Sequence, residues 1–159
     1  MNSMTKTNAM RLLDAAGISY DTAEYDYDES DLSGIHAAEA IGMPPEQVFK
    51  TLVTIGDKTG IMVFCLPVGC ELDLRKAASV SGNKKLELTH MKELLGLTGY
   101  IRGGCSPIGM KKRYPTFIDE TAELFDVIAV SAGQRGRQIL ISPGDLIEYS
   151  EAQVKDLTE

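Results

Sequence analysis

A lysine inside an apolar stretch is the first residue of this chain that could do chemistry. Lys50 lies in residues 48–53, where its neighbours are Val, Phe, Thr, Leu and Val. The two-residue period of a β-strand puts Lys50 on the same face as Val48 and Leu52. A lysine in this position either reaches water at the edge of a sheet or holds a phosphate, a carboxylate or an oxyanion in a cavity. The residues alone leave both alternatives open.

A glycine-rich loop is the second candidate. It contains, in order, Gly103, Gly104, Cys105, Ser106, Pro107, Ile108 and Gly109, and Lys111, Lys112 and Arg113 follow. Paired glycines let a backbone approach a ligand and present successive N–H donors, and the Ser106 hydroxyl adds a further polar group. This composition is typical of a loop that binds an anion or a carbonyl oxygen, although a tight hairpin turn has the same composition. The spacing matches neither a P-loop nor a GxGxxG dinucleotide-binding turn.

A second segment of similar character spans residues 131–137. It contains Ser131, Gly133, Arg135, Gly136 and Arg137. The serine hydroxyl can donate a hydrogen bond to a ligand, and each arginine can bind a phosphate through two N–H groups. A glycine-rich hairpin with exposed arginines explains the same residues equally well.

Catalysis by a serine, cysteine or histidine of the protein has little support. The sequence has no GxSxG motif, and His36 and His90 both fall near the starts of predicted helices, where surface or capping roles are typical. Cys105 is the one thiol in a plausible site, and nearby lysines and arginines would activate its thiolate, but spacing identifies no partner base for it. With three cysteines, no CxxC pair and no Cys/His cluster, we predict no disulfide, no metal and no cofactor.

The composition limits the partners. A length of 159 residues predicts one domain, residues 1–159. Sixteen Lys and Arg against twenty-three Asp and Glu give a net charge of -7, so DNA is not a predicted partner, and any RNA contact requires a local basic patch. The longest apolar run, residues 61–68, is too short to cross a bilayer, and the N-terminal residues lack the apolar part of a signal peptide. We therefore expect a cytoplasmic protein without membrane contact.

Local patterns predict several short helices and strands. Apolar periodicity and capping residues predict helices at residues 7–16, from Ser33 to Gly42, from Asp73, from Thr89 and from Pro143. Strands are predicted at residues 18–27, 49–55, 61–68, 116–119, 126–131 and 138–142, and a further strand is predicted to begin at Tyr100. These elements do not alternate as in a doubly wound sheet, so we predict an α+β fold with a mostly antiparallel or mixed sheet.

Four motifs taken together resemble the YbaK family of aminoacyl-tRNA deacylases. They are Tyr25-Asp26, Phe49-Lys50-Thr51-Leu52, residues 103–109 with the basic residues after them, and residues 131–136, and they follow the family's order over about residues 8–146. The family is related to the editing domain inserted in bacterial prolyl-tRNA synthetases. The resemblance implies a single editing domain with a curved sheet or partial barrel and several short packed helices.

The resemblance also implies an activity and a mechanism. Members of the family clear mischarged tRNA, and the YbaK branch acts on Cys-tRNA(Pro) and, more loosely, on Cys-tRNA(Cys), often together with prolyl-tRNA synthetase. The cysteinyl substrate is thought to attack its own ester carbonyl with its thiol, so the protein contributes positioning and electrostatics instead of a nucleophile. The implied partners are the aminoacylated 3′ end of tRNA and prolyl-tRNA synthetase.

The same resemblance assigns the site residues. We expect Lys50, Gly103 and Gly104 to be catalytic, because an ammonium group and backbone donors stabilise a developing oxyanion. The residues expected to bind substrate are Tyr25, Asp26, Thr51, Ser106, Pro107, Gly109, Ser131, Gly133, Arg135 and Gly136. The family pattern does not require a cysteine at position 105, so the resemblance implies that Cys105 is only a lining residue. Binding of tRNA also requires that the lysines and arginines at positions 84–85, 111–113, 135 and 137 gather on one face, or that a synthetase holds the tRNA.

Three alternatives stay open. The motifs do not separate a Cys-specific deacylase from one that acts on Ala-tRNA(Pro). A non-catalytic homologue that binds tRNA or a synthetase is a second alternative, and a hydrolase of small amino esters is a third.

Overall fold

The computed structural model describes residues 5–159. In this part of the chain the α-helices are α1 (Asn8–Ala15), α2 (Gly34–Ile41), α3 (Leu74–Ser81), α4 (Met91–Thr98) and α5 (Pro143–Ser150). The strands are β1 (Asp21–Glu24), β2 (Phe49–Gly56), β3 (Gly60–Pro67), β4 (Leu86–Leu88), β5 (Thr116–Asp119), β6 (Ile128–Ser131), β7 (Arg137–Ile141) and β8 (Gln153–Lys155). Short 3₁₀ helices occupy Pro45–Gln47 and Glu120–Leu124. Among the described residues, no helix has the length and hydropathy to span a bilayer.

The strands form two sheets that are linked beside β2. One sheet has five strands in the order β4-β2-β3-β5-β8, and the other has three in the order β1-β7-β6. The β2–β3 hairpin is antiparallel and pairs Phe49 with Pro67, whereas β5 runs parallel to both β3 and β8. A parallel bridge between Val48 and Ala129 joins the start of β2 to β6. This bridge brings the strand that carries Lys50 against the three-stranded sheet.

Local side chains determine where the helices begin. Thr7, Ser33 and Asp73 cap α1, α2 and α3 by accepting hydrogen bonds from amides of the first turn. These three predicted starts are confirmed. Helix α4 begins one residue later than predicted, with His90 at its N-cap, because the hydroxyl of Thr89 donates to a carbonyl of β2 at 3.1 Å.

Three groups of buried apolar side chains hold the elements together. The largest packs α1 and α5 against β6 and β7. In the second, the rings of Phe64 and Phe117 stack with their centroids 4.9 Å apart. The third is small and includes Ala38, Val48 and Ala129, so it packs α2 directly onto the bridge between the sheets. Burial of apolar surface in this third group thereby stabilises the surroundings of Lys50.

The predicted α+β class with a mixed sheet is confirmed, and the strands are divided between two sheets. Two local predictions are wrong. No strand begins at Tyr100 in the described chain, because its amide donates to Thr98 Oγ1 at 3.0 Å and its hydroxyl donates to the carbonyl of Ile108, which closes the segment as a loop. The strand predicted at residues 18–27 is only four residues long. Strands β4 and β8 have three residues each, too few for a periodic pattern.

Candidate active site

A cavity of about 550 Å³ opens beside β2. Its wall combines β2, the start of α2, residues 88–91, the first part of the glycine-rich loop, and one residue each from β6 and β7. Five of the predicted site residues line it: Tyr25, Lys50, Thr51, Gly103 and Ser131. The volume lies in the range of small-molecule sites and suits a ligand the size of an amino acid esterified to a nucleoside.

Lys50 lies in the cavity wall with 25% of its side chain exposed. Its Nζ atom is 3.6 Å from Oε2 of Glu71, whose side chain is 78% exposed. This separation is longer than an N–H···O hydrogen bond, and exposed ion pairs of this kind contribute about 0 to 1 kcal/mol. An anionic or carbonyl ligand can therefore displace Glu71 at little cost. Of the two alternatives for Lys50, the geometry favours a lysine that serves a cavity.

Two hydroxyl groups from the three-stranded sheet flank the cavity. Tyr25 follows β1, and its amide donates to the carbonyl of Gly136 at 2.9 Å. Burial raises the pKa of the Tyr25 phenol, and hydrogen bonding to Gly136 and Gln138 opposes this only in part, so the phenol keeps its proton at neutral pH and can donate it. Ser131 Oγ accepts from the amide of Gly133 at 3.1 Å, which leaves the serine proton for a ligand. Gly133 thus orients Ser131 without lining the cavity itself.

Gln138 is a cavity residue that the sequence analysis missed. It is 6% exposed and stands opposite Ser131 in the β6–β7 pairing. Its Oε1 atom has no hydrogen-bond partner among the described residues. A buried acceptor without a partner costs about 1 to 3 kcal/mol, so a donor on a bound ligand would be favoured here. The hairpin register across from Ser131 is the signal that could have identified it.

Three residues with charged or imidazole side chains line the cavity although the sequence analysis did not place them there. They are Glu71, His90 and Arg102. Each lies outside the regular helices and strands, at a helix cap or in a connecting segment. Such segments follow no hydrophobic period, so their position depends on tertiary contacts alone.

The glycine-rich loop contributes only its first part to the cavity. Gly103 and Cys105 line the wall, whereas the amide of Gly104 donates to the carbonyl of Ile101 at 2.9 Å and is occupied in a turn. A Cβ atom at Gly104 would lie 3.1 Å from the amide nitrogen of Arg135. In this structure Gly104 therefore allows the two glycine-rich segments to approach each other, and its N–H group is not free to hold an oxyanion.

The second part of the loop turns away from the cavity. Ser106 is fully buried, and its Oγ atom accepts from the amide of Ile108 at 3.2 Å. Pro107 and Gly109 line a separate groove together with part of the basic segment 111–113. The two parts of the loop diverge because the side chain of Ile108 is completely buried in the core. Ser106, Pro107 and Gly109, which were expected to bind substrate, thus do not line the cavity of Lys50.

Asp26, Arg135 and Gly136 also lie outside this cavity, in a groove on the other side of Tyr25. Gly136 has a φ of 82°, and a Cβ atom there would lie 2.7 Å from the carbonyl oxygen of Tyr25. The Nε–H group of Arg135 donates to the carbonyl of Arg102 at 2.8 Å. Gly136 and Arg135 therefore act on the cavity indirectly, by holding Tyr25 and the glycine-rich loop in place.

Cys105, in the cavity wall, has an unreactive thiol. Burial raises the pKa of the Cys105 thiol to about 12, and because only the thiolate is strongly nucleophilic, Cys105 is unreactive at neutral pH. This agrees with its interpretation as a lining residue.

Thr51 lies with its Oγ1 atom 3.9 Å from Sγ of Cys65, a contact that orients its side chain. Residues 5–159 contain no cluster of His, Cys, Asp or Glu that could hold a metal ion.

Comparison with known proteins identifies the family. The model described as "Aminoacyl-tRNA editing domain" matches residues 33–149. This protein belongs to that family, and the predicted resemblance to aminoacyl-tRNA editing proteins is confirmed. The matched region contains Lys50, Gly103, Ser131 and Gln138, whereas Tyr25 precedes it.

Similarity to individual proteins indicates which members of this family the chain most resembles in sequence and structure. The Enterococcus faecalis protein named "Putative Cys-tRNA(Pro)/Cys-tRNA(Cys) deacylase EbsC" is 47% identical over 153 residues, which cover 96% of this chain and 93% of the relative. The "Proline--tRNA ligase" of Shouchella clausii is 30% identical over 122 residues, which are 76% of this chain and 21% of the ligase. A solved structure described as "a putative trans-editing enzyme for prolyl tRNA synthetase" has a TM-score of 0.84 at 28% identity, covering 98% of this chain and 99% of that one.

Proposed function

We propose that this protein is a cytoplasmic trans-editing deacylase that removes cysteine from Cys-tRNA(Pro), and also from Cys-tRNA(Cys). The name of the Enterococcus faecalis relative and the shared fold of the trans-editing enzyme support this proposal. The observation that carries it is a cavity in which a lysine with a mostly buried side chain shares the wall with two residues that bear hydroxyl groups, while the thiol in the wall stays protonated. Such a cavity stabilises an oxyanion and leaves the nucleophile to the substrate.

The thiol of the cysteinyl group supplies that nucleophile. Its sulfur forms a bond to the ester carbonyl carbon, and the resulting tetrahedral oxyanion collapses with cleavage of the bond to the ribose oxygen, which takes up the proton that the thiol loses. The products are a tRNA with a free terminal hydroxyl and a four-membered thiolactone, which water then opens to cysteine. The ammonium group of Lys50 and the hydroxyls of Tyr25 and Ser131 stabilise the oxyanion, and the cavity holds the reacting atoms together.

Prolyl-tRNA synthetase is the proposed partner that presents the tRNA. The net charge of -7 opposes RNA binding. Binding of tRNA by this chain alone would require its basic residues to gather on one face, but they line three separate grooves: Lys84 with Lys85, Lys112 with Arg113, and Arg135 with Arg137. Residues 1–159, taken as a single editing domain, would therefore bind tRNA weakly alone and depend on a synthetase to hold the body of the tRNA.

The test is deacylation of four esters: Cys-tRNA(Pro), Ala-tRNA(Pro), Ser-tRNA, and tRNA(Pro) charged with 2-aminobutyrate, in which a methyl group replaces the thiol. We expect only the cysteinyl ester to decay faster than in buffer. Release of alanine would instead assign the Ala-tRNA(Pro) activity, and rapid release of 2-aminobutyrate would contradict attack by the substrate thiol.

The same acidic surface favours one second candidate, a homologue that binds the synthetase without turnover. In that case the protein co-purifies with prolyl-tRNA synthetase, and none of the four esters decays faster than in buffer. This pair of results would refute the deacylase proposal.

A further inference from the structure

The two sides of the cavity mouth differ in charge. On one side, residues 21–31 contain no Lys or Arg and six exposed carboxylates, namely Asp21, Glu24, Asp26, Asp28, Glu29 and Asp31. We call these six residues the acidic rim; Tyr25, between them, lines the cavity. Glu24 and Glu29 pair with Arg137 and Arg135, and the other four have no Lys or Arg partner in the described chain. Arg102, which lines the cavity on this side and whose carbonyl accepts from Arg135, offsets a third carboxylate. The carboxylates that remain in excess would repel a polyanion leaving the cavity here.

The opposite side carries cations that have no carboxylate partner. Residues 88–91, between β4 and α4, line the cavity. Next to them, Arg75, Lys84 and Lys85 line one groove along the edge strand β4, and Lys92 is exposed on the first turn of α4. We call these four residues the basic rim. Within residues 5–159 none of the four side chains forms an ion pair within 4.0 Å, so their charges are available to a ligand.

Four carboxylates and one further lysine, Lys58, accompany the basic rim. Glu87 and Glu93 are exposed beside it, and Asp73 Oδ1 accepts from the amide of Arg75 at 3.0 Å. Asp57 Oδ1 accepts from the amides of Lys84 and Lys85 at 3.0 and 3.2 Å, and these bonds, with Lys58 nearby, lower the pKa of Asp57. The carboxylate thereby holds the backbone of both lysines in place while their ammonium groups stay in water. Five cations, Lys58 included, against four carboxylates leave this side with one excess positive charge. Six carboxylates against Arg102, Arg135 and Arg137 leave the opposite side negative.

The spacing suits a short piece of single-stranded nucleic acid. Lys85 directly precedes β4 and stands three residues before Leu88, which at the rise of a strand is about 10 Å, a span that the last nucleotides of a chain can cover. Leu88 and Met91 stand between the cations and the cavity with 52% and 60% of their surface exposed. A positively charged groove binds the phosphates of a single strand, and Leu88 and Met91 offer apolar surface to its bases.

We propose that the single-stranded 3′ end of the tRNA leaves the cavity over the basic rim, with its phosphates on Lys84, Lys85 and Lys92 and its terminal bases against Leu88 and Met91. This proposal rests on the proposed deacylase function, since it assumes that an aminoacyl ester occupies the cavity. The tRNA would thus bind along one side of a chain whose overall charge opposes RNA binding. This path leads away from the acidic rim.

The experiment compares two doubly substituted variants with the same change in charge. Lys84→Gln/Lys85→Gln alters the basic rim, and Lys111→Gln/Lys112→Gln alters exposed lysines that do not line the cavity. Each variant is assayed on Cys-tRNA(Pro) and on 3′-O-cysteinyl adenosine, which has no phosphate. For the first variant we expect kcat/KM on the tRNA ester to fall roughly tenfold, with the salt dependence of log(kcat/KM) less steep by about 1 to 2, and no change on the nucleoside ester. The second variant should match the wild type on both.

Three results would overturn the proposal: unchanged kcat/KM on Cys-tRNA(Pro), an equal loss in both variants, or an equal loss on the tRNA and nucleoside esters. If the wild-type protein cleaves neither ester, the deacylase function itself fails, and the rim is then tested by binding. In that case, fluorescence anisotropy with a labelled RNA hairpin ending in single-stranded ACCA should show weaker binding for the rim variant than for the control variant. Equal binding by the two variants would refute the RNA path.

Discussion

The cavity of Lys50 and the basic segment 111–113 are two cationic regions that the sequence analysis singles out, and they differ in the structure. Lys50 is a single charge, but three quarters of its side chain is withdrawn from water and its carboxylate partner is loosely held. The basic segment has three charges, yet all are exposed, and Arg113 donates to the carbonyl of Tyr149 and lies 5.6 Å from the centroid of its ring. Solvent screens exposed charges. One withdrawn charge in the cavity can therefore act on a ligand more strongly than three exposed charges.

Replacing Lys50 should produce the largest effect. Lys50→Ala removes the cation from the cavity and should lower kcat/KM on Cys-tRNA(Pro) at least tenfold, and about 100-fold if the ammonium group holds the oxyanion directly. Lys112→Ala removes a charge from the basic segment and should change kcat/KM on the same substrate less than about twofold. Thermal melts of both variants verify folding. Equal activities of these two variants would remove the distinction between the regions.

Replacing Gly136 tests whether close packing holds Tyr25 at the cavity. Gly136→Ala puts a Cβ atom 2.7 Å from the carbonyl oxygen of Tyr25 at a φ of 82°, and should cost about 3 kcal/mol of unfolding free energy. Gly60→Ala is the matched control, because its φ is 79° with nothing within 4 Å of the new atom, and should cost about 1 kcal/mol. Urea denaturation measures both. The same loss in both variants would show that Gly136 is required only for its backbone angle.

Replacing Tyr25 tests one hydroxyl donor. Tyr25→Phe should lower kcat about fivefold with little change in KM, because the lost hydrogen bond acts on the transition state. Tyr149→Phe, beside the basic segment, should be neutral. Since burial raises the pKa of Tyr25, the phenol remains protonated below its ordinary value of about 10, and the ratio of wild-type to Tyr25→Phe activity should be constant from pH 6 to pH 9. A ratio that falls in this range would mean that Tyr25 loses its proton there.

Replacing Cys105 should have the smallest effect. Because the pKa of this thiol is raised to about 12, the thiolate is scarce at pH 8 and becomes abundant only as the pH approaches 12. Cys105→Ser should keep at least about half of the activity, and iodoacetamide should modify Cys105 slowly at pH 8, with a rate that increases with pH. Loss of turnover in Cys105→Ser would show that the protein supplies its own nucleophile.

The sequence predicted the cavity in part. Lys50 and Ser131 were identified because a polar residue in an apolar strand, or a serine before a glycine turn, is visible in a short window. Gln138 was missed because its place opposite Ser131 depends on the register of β6 and β7. Ser106 was expected to bind substrate because its composition suited a ligand loop, but composition cannot show that the loop turns inward at Ile108, whose side chain is completely buried.

By itself the sequence determined the local structure: the helices capped by Thr7, Ser33 and Asp73 and the β2–β3 hairpin, because capping and hairpin pairing act between residues close in the chain. Only the tertiary structure decided which motifs share a cavity. The Val48–Ala129 bridge and the close approach of Gly104 to Arg135 join segments distant in sequence. Such contacts depend on how the buried surfaces of the whole chain pack together. A short sequence pattern contains no information about that packing.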